Sequence, residues 1–195
     1  MRKGEQTRRE IIRKAAPIFN QRGYDGAALS DLMRATGLEK GGIYRHFSSK
    51  EVLAAEAFDY AWRETLNARI HDLDTISNTV DRLKRLVANF VERRGVIPGG
   101  CPLLNTAIDT DDGNSVLRER ARKAFRGWRS YLISIISAGI KAREIRPGVD
   151  PKKLATLLIS SLEGAIMLCR LERSEEPLLA VRAHLDNYLE TEVRL

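Results

Sequence analysis

Residues 29–51, LSDLMRATGLEKGGIYRHFSSKE, constrain this chain more than any other stretch. They read as two short helices joined by a tight turn, followed by the start of a third. Ser30 is a good N-cap, because its hydroxyl can accept from an unpaired amide of the first turn. Asp31 follows where the helix dipole favours an anion. Leu32, Met33 and Ala35 supply apolar faces for about two turns. Gly37 stands where a helix C-terminus needs a left-handed residue. Leu38 plugs the turn. The next helix, residues 40–47, buries Ile43 and Phe47. It leaves Lys40, Gly41, Gly42, Tyr44, Arg45 and His46 elsewhere. That outward set carries cations, a hydroxyl and an imidazole, with two positions free of any side chain. A helix-turn-helix that reads DNA needs such a set on its second helix.

The distribution of charge agrees. Of a net charge of +7 over 195 residues, residues 1–52 hold 11 Lys and Arg against 6 Asp and Glu, from Arg2 and Lys3 to Lys50. An excess concentrated on one quarter of the chain suits binding driven by release of DNA counterions.

The segment resembles the DNA-binding domain of the TetR family, the tetracycline-repressor-like regulators. Gly37, Leu38, Lys40, Gly41, Ile43, Tyr44, His46, Phe47, Lys50 and Glu51 stand in the family's register, and Thr7, Arg8, Ile11, Ala15, Phe19, Gly23 and Tyr24 match upstream. Two positions depart from the pattern: Glu39 replaces a small N-cap residue, and Gly42 lacks a side chain that relatives use on a base. The resemblance implies an all-α fold of about nine helices. A three-helix DNA-binding domain would span residues 1–49, and a helical effector-binding and dimerisation domain residues 50–195. It implies a homodimer on a palindromic operator, acting as a repressor released by a small molecule; the alternative is a DNA-binding protein of the same fold without an effector. Ser30, Lys40, Gly41, Gly42, Tyr44, Arg45, His46 and Lys50 are then the expected DNA contacts. Phosphate contacts carry over ahead of base contacts.

Helical periodicity dominates the rest, and strand-like alternation is absent. Helices are expected near residues 5–21, interrupted awkwardly by Pro17, then 49–73 with Ser49 as cap, 77–94, 103–108, 115–142, 151–171 and 176–193. Gly95–Pro102 and Arg146–Pro151 break the pattern, and Asp150-Pro151 is a cap followed by a first-turn proline. The helix at 151–171 is apolar nearly all round and interrupted by small residues. Such a helix must be covered on more than one side. The resemblance makes it part of a dimer interface, with Leu157, Ser161, Gly164, Ala165, Leu168, Leu185 and Tyr188 as candidates. The competing reading is a core helix of one subunit.

Trp62, Phe90, Cys101, Leu104, Ile108, Phe125 and Trp128 are candidates for an effector pocket, together with Leu103 and Ala107. Arg94, Asn105 or Arg129 would orient a ligand. Few ionic anchors are available there, so the effector is expected to be mostly apolar. Cys101, in a Gly-Cys-Pro-Leu-Leu run resembling one found in some relatives, is either a buried small residue or a reactive thiol. His46, His71 and His184 form no metal-type pair, and no catalytic triad or phosphate loop is visible. Neither cofactor nor catalysis is expected. Asp109, Asp111 and Asp112 read as a solvated turn that caps the following helix. Met1 opens into a charged stretch, and no run approaches roughly 18 continuous apolar residues. A cytoplasmic protein without a membrane segment is therefore expected.

Overall fold

A computed structural model describes residues 3–93 and 95–195. Arg94 therefore lies outside the described residues, as do Met1 and Arg2. Nine α-helices follow in order among them: α1 (Lys3–Gly26), α2 (Leu29–Thr36), α3 (Lys40–Tyr44), α4 (Lys50–Arg69), α5 (Thr79–Glu92), α6 (Pro102–Asp109), α7 (Ser115–Lys141), α8 (Pro151–Glu172) and α9 (Glu176–Tyr188). Two compact units emerge. The first comprises residues 1–65 and 95–124, the second residues 66–94 and 125–195. Helices α4 and α7 each begin in the first unit and end in the second.

The first unit packs Ile11 and Ala15 of α1, Leu32 of α2, Ile43 of α3, Phe47, and Leu53 and Ala57 of α4 into one apolar core. Ile97, from the turn-rich segment after α5, joins that core. Burying a leucine or isoleucine contributes roughly 1.5–3 kcal/mol, so these few side chains hold three short helices that would not form alone. Helix α1 runs through Pro17 and bends at Gly23, where φ is 72° and ψ 177°. Only glycine adopts that backbone readily.

Several helix ends follow local chemistry. The Ser49 hydroxyl accepts from the Val52 amide at 3.1 Å. Asp150 accepts from the amides of Lys152 and Lys153, with Pro151 at the first helical position. Other ends differ from expectation. Helix α2 begins one residue early, at Leu29, with Ala28 as its cap. Ser30 is already inside the helix, and Ala35 is exposed. Helix α5 is capped by Asn78, whose Oδ1 accepts from Val80 and Asp81. Helix α7 is capped by Asn114, which accepts from Leu117 at 2.9 Å, and not by the aspartate cluster.

The second unit buries Leu83, Leu86 and Val87 of α5, Trp128, Leu132 and Ile136 of α7, Leu154, Leu158 and Leu162 of α8, and Leu178 and Leu185 of α9. Helix α9 stops at Tyr188 and not at Val193, giving way to a π-helical turn over Leu189–Val193. The backbone is drawn off there. The Arg146 amide donates to the Val193 carbonyl at 2.9 Å, and Arg194 pairs with Asp81.

Helix α8 corrects the expectation about apolar length. Its 22 residues reach a mean hydropathy of 1.6 over an 18-residue window, enough to cross a membrane by length and composition. Only 39% of that window is buried. Leu154, Leu158 and Leu162 face inward, whereas Leu157, Met167, Leu168 and Leu171 are exposed.

Candidate nucleic-acid interface

The turn between α2 and α3 is set by Gly37, at φ 71° and ψ 19°, whose amide donates to the Met33 carbonyl at 2.8 Å. The Thr36 hydroxyl donates to the Leu32 carbonyl at 2.7 Å and closes the last turn of α2. Helix α3 is only five residues long. It ends at Tyr44 and not at Phe47, with Arg45 and His46 in a following turn. Ile43 and Phe47, 1% and 2% exposed, anchor it from below.

The opposite side carries the predicted contacts. Lys40, Gly41 and Arg45 are exposed, and Gly42, Tyr44 and His46 half-buried. A side chain built on Gly41 would meet nothing within 4 Å. The surface above α3 is therefore open enough for another backbone or a nucleic-acid strand to approach. Ser30 is exposed one helix away and makes no capping bond. Lys50 opens α4 with its Nζ 4.6 Å from the centre of the Tyr24 ring, a cation–π contact. Burial first, then the carboxylates of Glu51 and Asp25, push the Tyr24 phenol above its ordinary range. Glu51 itself accepts from the Asn114 amide at 2.7 Å.

The N-terminal turns of α1 add charge beside this surface. Arg8 pairs with Glu56 and stacks 4.7 Å from the Phe47 ring centre. Arg9 pairs with Glu5, and Arg13 with Glu10. Arg22 and Arg34 both reach Asp31. A cavity of about 1000 Å³ opens in the first unit, lined by residues of α1, α2 and α4 that include Thr7, Arg9, Lys14, Glu56, Asp59 and Tyr60. None of the expected effector residues lines it. Burial raises the Asp59 carboxyl, and the neighbouring Arg120 partly offsets that rise.

The effector candidates divide between the units. In the first, Trp62 and Cys101 are buried, Leu104 is half-buried and Ile108 is 67% exposed. In the second, Phe90 and Trp128 are buried, and Phe125 is 38% exposed. Leu103 is buried, Arg129 half-buried and Ala107 exposed. Cys101 is the N-cap of α6, its Sγ accepting from the Leu104 amide at 3.5 Å. Asn105 is committed to the backbone of Asn20 and Gly99. One buried ion pair lies in the second unit. Arg69 and Glu163 form a 2.8 Å ion pair with side chains 4% and 10% exposed, and the guanidinium lies 4.2 Å from the Phe90 ring centre. Nothing in the sequence paired two residues so far apart. The only local hint was a single carboxylate in the apolar run of α8.

Of the dimer candidates, Ala165 and Leu185 are buried inside the second unit, at 2% and 1% exposure. Leu157 and Leu168 are exposed, and Ser161, Gly164 and Tyr188 half-buried. Among the described residues, no group of three His, Cys, Asp or Glu side chains is placed to hold a metal ion.

Comparison with known proteins bears on this geometry directly. Residues 11–57 match the family model described as bacterial regulatory proteins, tetR family. Residues 79–185 match that of a tetracyclin repressor-like C-terminal domain. The chain is 29% identical over 175 residues to the HTH-type transcriptional repressor DhaR of Mycobacterium sp. (strain GP1), covering 88% of this chain and 86% of that one. It is 26% identical over 194 residues to the repressor NemR of Escherichia coli (strain K12), covering 95% and 94%. A crystal structure of a TetR transcriptional regulator from Chloroflexus aurantiacus J-10-FL superposes with a TM-score of 0.95 at 46% identity, covering both chains fully.

Proposed function

The chain belongs to the TetR family of DNA-binding transcriptional regulators, and from that premise we propose that it is a homodimeric repressor, released from a palindromic operator by a small molecule. The observation that carries the reading is the exposed side of α3. Lys40, Arg45 and the open backbone at Gly41 sit on a helix anchored only by Ile43 and Phe47. In this reading the boundary between DNA-binding and regulatory domains falls at residues 49 and 50. Lys40, Tyr44, His46 and Lys50 hold phosphates and set the register. Arg45 and the backbone at Gly41 and Gly42 face base edges, and Ser30 touches the strand from α2. Contacts of the first kind position the protein without reading sequence.

The homodimer rests on α8 and α9. Leu157, Leu168 and Leu171 form an exposed apolar stripe at helical spacing, with Leu179 exposed on α9. A two-fold axis brings two such stripes together. The effector is a mainly apolar small molecule, a reading supported by the buried Phe90 and Trp128 of the second unit. It acts through better binding to the arrangement that cannot hold DNA. The protein works without catalysis, in the cytoplasm.

Selection of bound duplexes from a random pool tests the proposal. A two-fold symmetric site is expected, with half-sites about one helical turn apart or a multiple of it. Recovery of sequences without symmetry would remove the dimeric-operator reading. One rival has its own observation. The Cys101 thiol accepts from the Leu104 amide at the start of α6, and the residue is 3% exposed. Release from the operator by oxidants in the parent protein, lost in Cys101→Ser with affinity unchanged, would make the protein a thiol sensor. Release by apolar compounds in both proteins supports the ligand reading.

A further inference from the structure

Asp109 ends α6 by bonding to another part of the first unit. Its Oδ2 accepts from the Tyr24 amide at 2.8 Å. A Cβ placed on Gly23 would lie 2.3 Å from Asp109 Oδ1. The bend at the end of α1 is therefore shaped around this carboxylate. Tyr24 carries its ring directly beneath the Lys50 ammonium. A second clasp joins the same two segments. Asn105 of α6 donates to the Asn20 carbonyl and side chain at 3.0 Å, and Asn20 donates to Pro98 at 2.9 Å and to Gly100 at 3.0 Å. The end of α1 is thus tied to α6 by hydrogen bonds.

We propose that Asp109 is a positioning residue for DNA binding: through the Gly23–Tyr24 bend it seats the Tyr24 ring that aims Lys50 at a phosphate. Any displacement of α6 is then passed to the phosphate grip through α1, independently of where α4 itself moves. The inference rests on the phosphate role given to Lys50 above. It also has an unusual sign. Removing a carboxylate from the neighbourhood of a DNA-binding surface strengthens binding by electrostatics alone. Removing this one should weaken it.

Fluorescence anisotropy with the selected operator and a random duplex, from 50 to 200 mM salt, tests the proposal on the full-length dimer. Lys50→Ala should lower the salt slope by about one unit and weaken both duplexes by about 3- to 10-fold. Asp109→Ala should do the same in the parent and add nothing in the Lys50→Ala background. Asp109→Asn keeps an oxygen for the Tyr24 amide and should restore most of the affinity. Tyr24→Leu leaves the Asp109 bond in place but removes the ring. It should mimic Lys50→Ala, and an unchanged slope in it would overturn the positioning role even if thermal melting shows Asp109→Ala to be unfolded. Equal losses from Asp109→Ala in both backgrounds, or an unchanged or tighter binding, would overturn the positioning role alone. An unchanged slope in Lys50→Ala would overturn the phosphate reading and the positioning role with it.

Discussion

Arg69, at the end of α4, and Glu163, in the middle of α8, meet at 2.8 Å inside the second unit, although 94 positions separate them. The Arg69 carbonyl accepts from Asn89 at 3.0 Å, and its guanidinium stacks on Phe90. Both charged side chains have left water, at 4% and 10% exposure. Glu163→Ala should destabilise the protein by about 3–5 kcal/mol, because it removes the carboxylate that faces a buried cation. The double change Arg69→Met with Glu163→Leu should cost clearly less than either single change. Urea unfolding of the four proteins measures this. Additive losses would show that the pair contributes no coupling.

Glu144 gives the second unit an acid-sensitive joint. Its Oε2 accepts from the Thr79 amide at 2.7 Å, at the start of α5. Hydrogen bonding to the Thr79 side chain first, then to its amide, with Arg82 and Arg194 nearby, holds the carboxyl below its ordinary range. A carboxyl depressed in the folded state stabilises it above the unfolded pKa, about 4.3, and loses that contribution as pH falls through the folded value. Stability should therefore drop below roughly pH 4.5, and Glu144→Gln should flatten that part of the profile. Gln still accepts from Thr79, so the loss at pH 7 should stay near or below about 1 kcal/mol. Thermal midpoints between pH 3 and 7 measure both, and an unaltered acid limb would remove Glu144 from the account.

Much of the architecture was legible because its signals are local. Gly37, Ser49 and Asp150-Pro151 each act within a few residues of themselves, and each stands where its chemistry requires. Ser30 misled because Ala28, with no capping side chain, starts α2 in its place. The aspartate cluster misled differently. It looks like a cap for α7, but Asp109 reaches back to Tyr24 and leaves the capping to Asn114. Periodicity also cannot rank the faces of an all-round apolar helix. On α8 it offered Leu157 and Ala165 as equals, yet one is 40% exposed and the other 2%. Arg69 with Glu163 and Asn20 with Asn105 were out of reach, since only the tertiary fold brings them together.

Gly41 separates what α3 needs for folding from what it needs for DNA. A Cβ there meets nothing within 4 Å, and one on Gly42 meets only Leu38 at 3.4 Å. Neither glycine has a left-handed backbone. Gly41→Ala should therefore fold and gain roughly 0.5–1 kcal/mol from helix propensity. Operator affinity should nevertheless fall by at least about tenfold, the equivalent of about 1.4 kcal/mol, because the methyl would stand between the backbone and the DNA. A melting curve and a titration on the same preparation measure the two effects. A variant both more stable and equally tight would show that the DNA does not approach this turn of α3.

Gly164 tests the dimer in the same spirit. It is half-buried on α8, three residues after Ser161 and four before Leu168, and a Cβ built on it meets nothing within 4 Å. Within one subunit an arginine therefore has room, and its charge would lie on the exposed stripe of Leu157, Leu168 and Leu171. In a two-fold interface the same substitution appears twice, close to the axis if Gly164 is where the helices approach. Gly164→Arg should then yield folded monomers with native helix content and operator affinity reduced by at least about 100-fold, since each half-site would be held alone, a penalty of about 2.7 kcal/mol. Size-exclusion chromatography with light scattering and circular dichroism provides the readout. A dimer of unchanged mass would move the interface away from this part of α8. Loss of the helical signal would instead put the residue in the core, and Leu168→Glu, on a side chain already 41% exposed, would then decide whether the stripe is an interface at all.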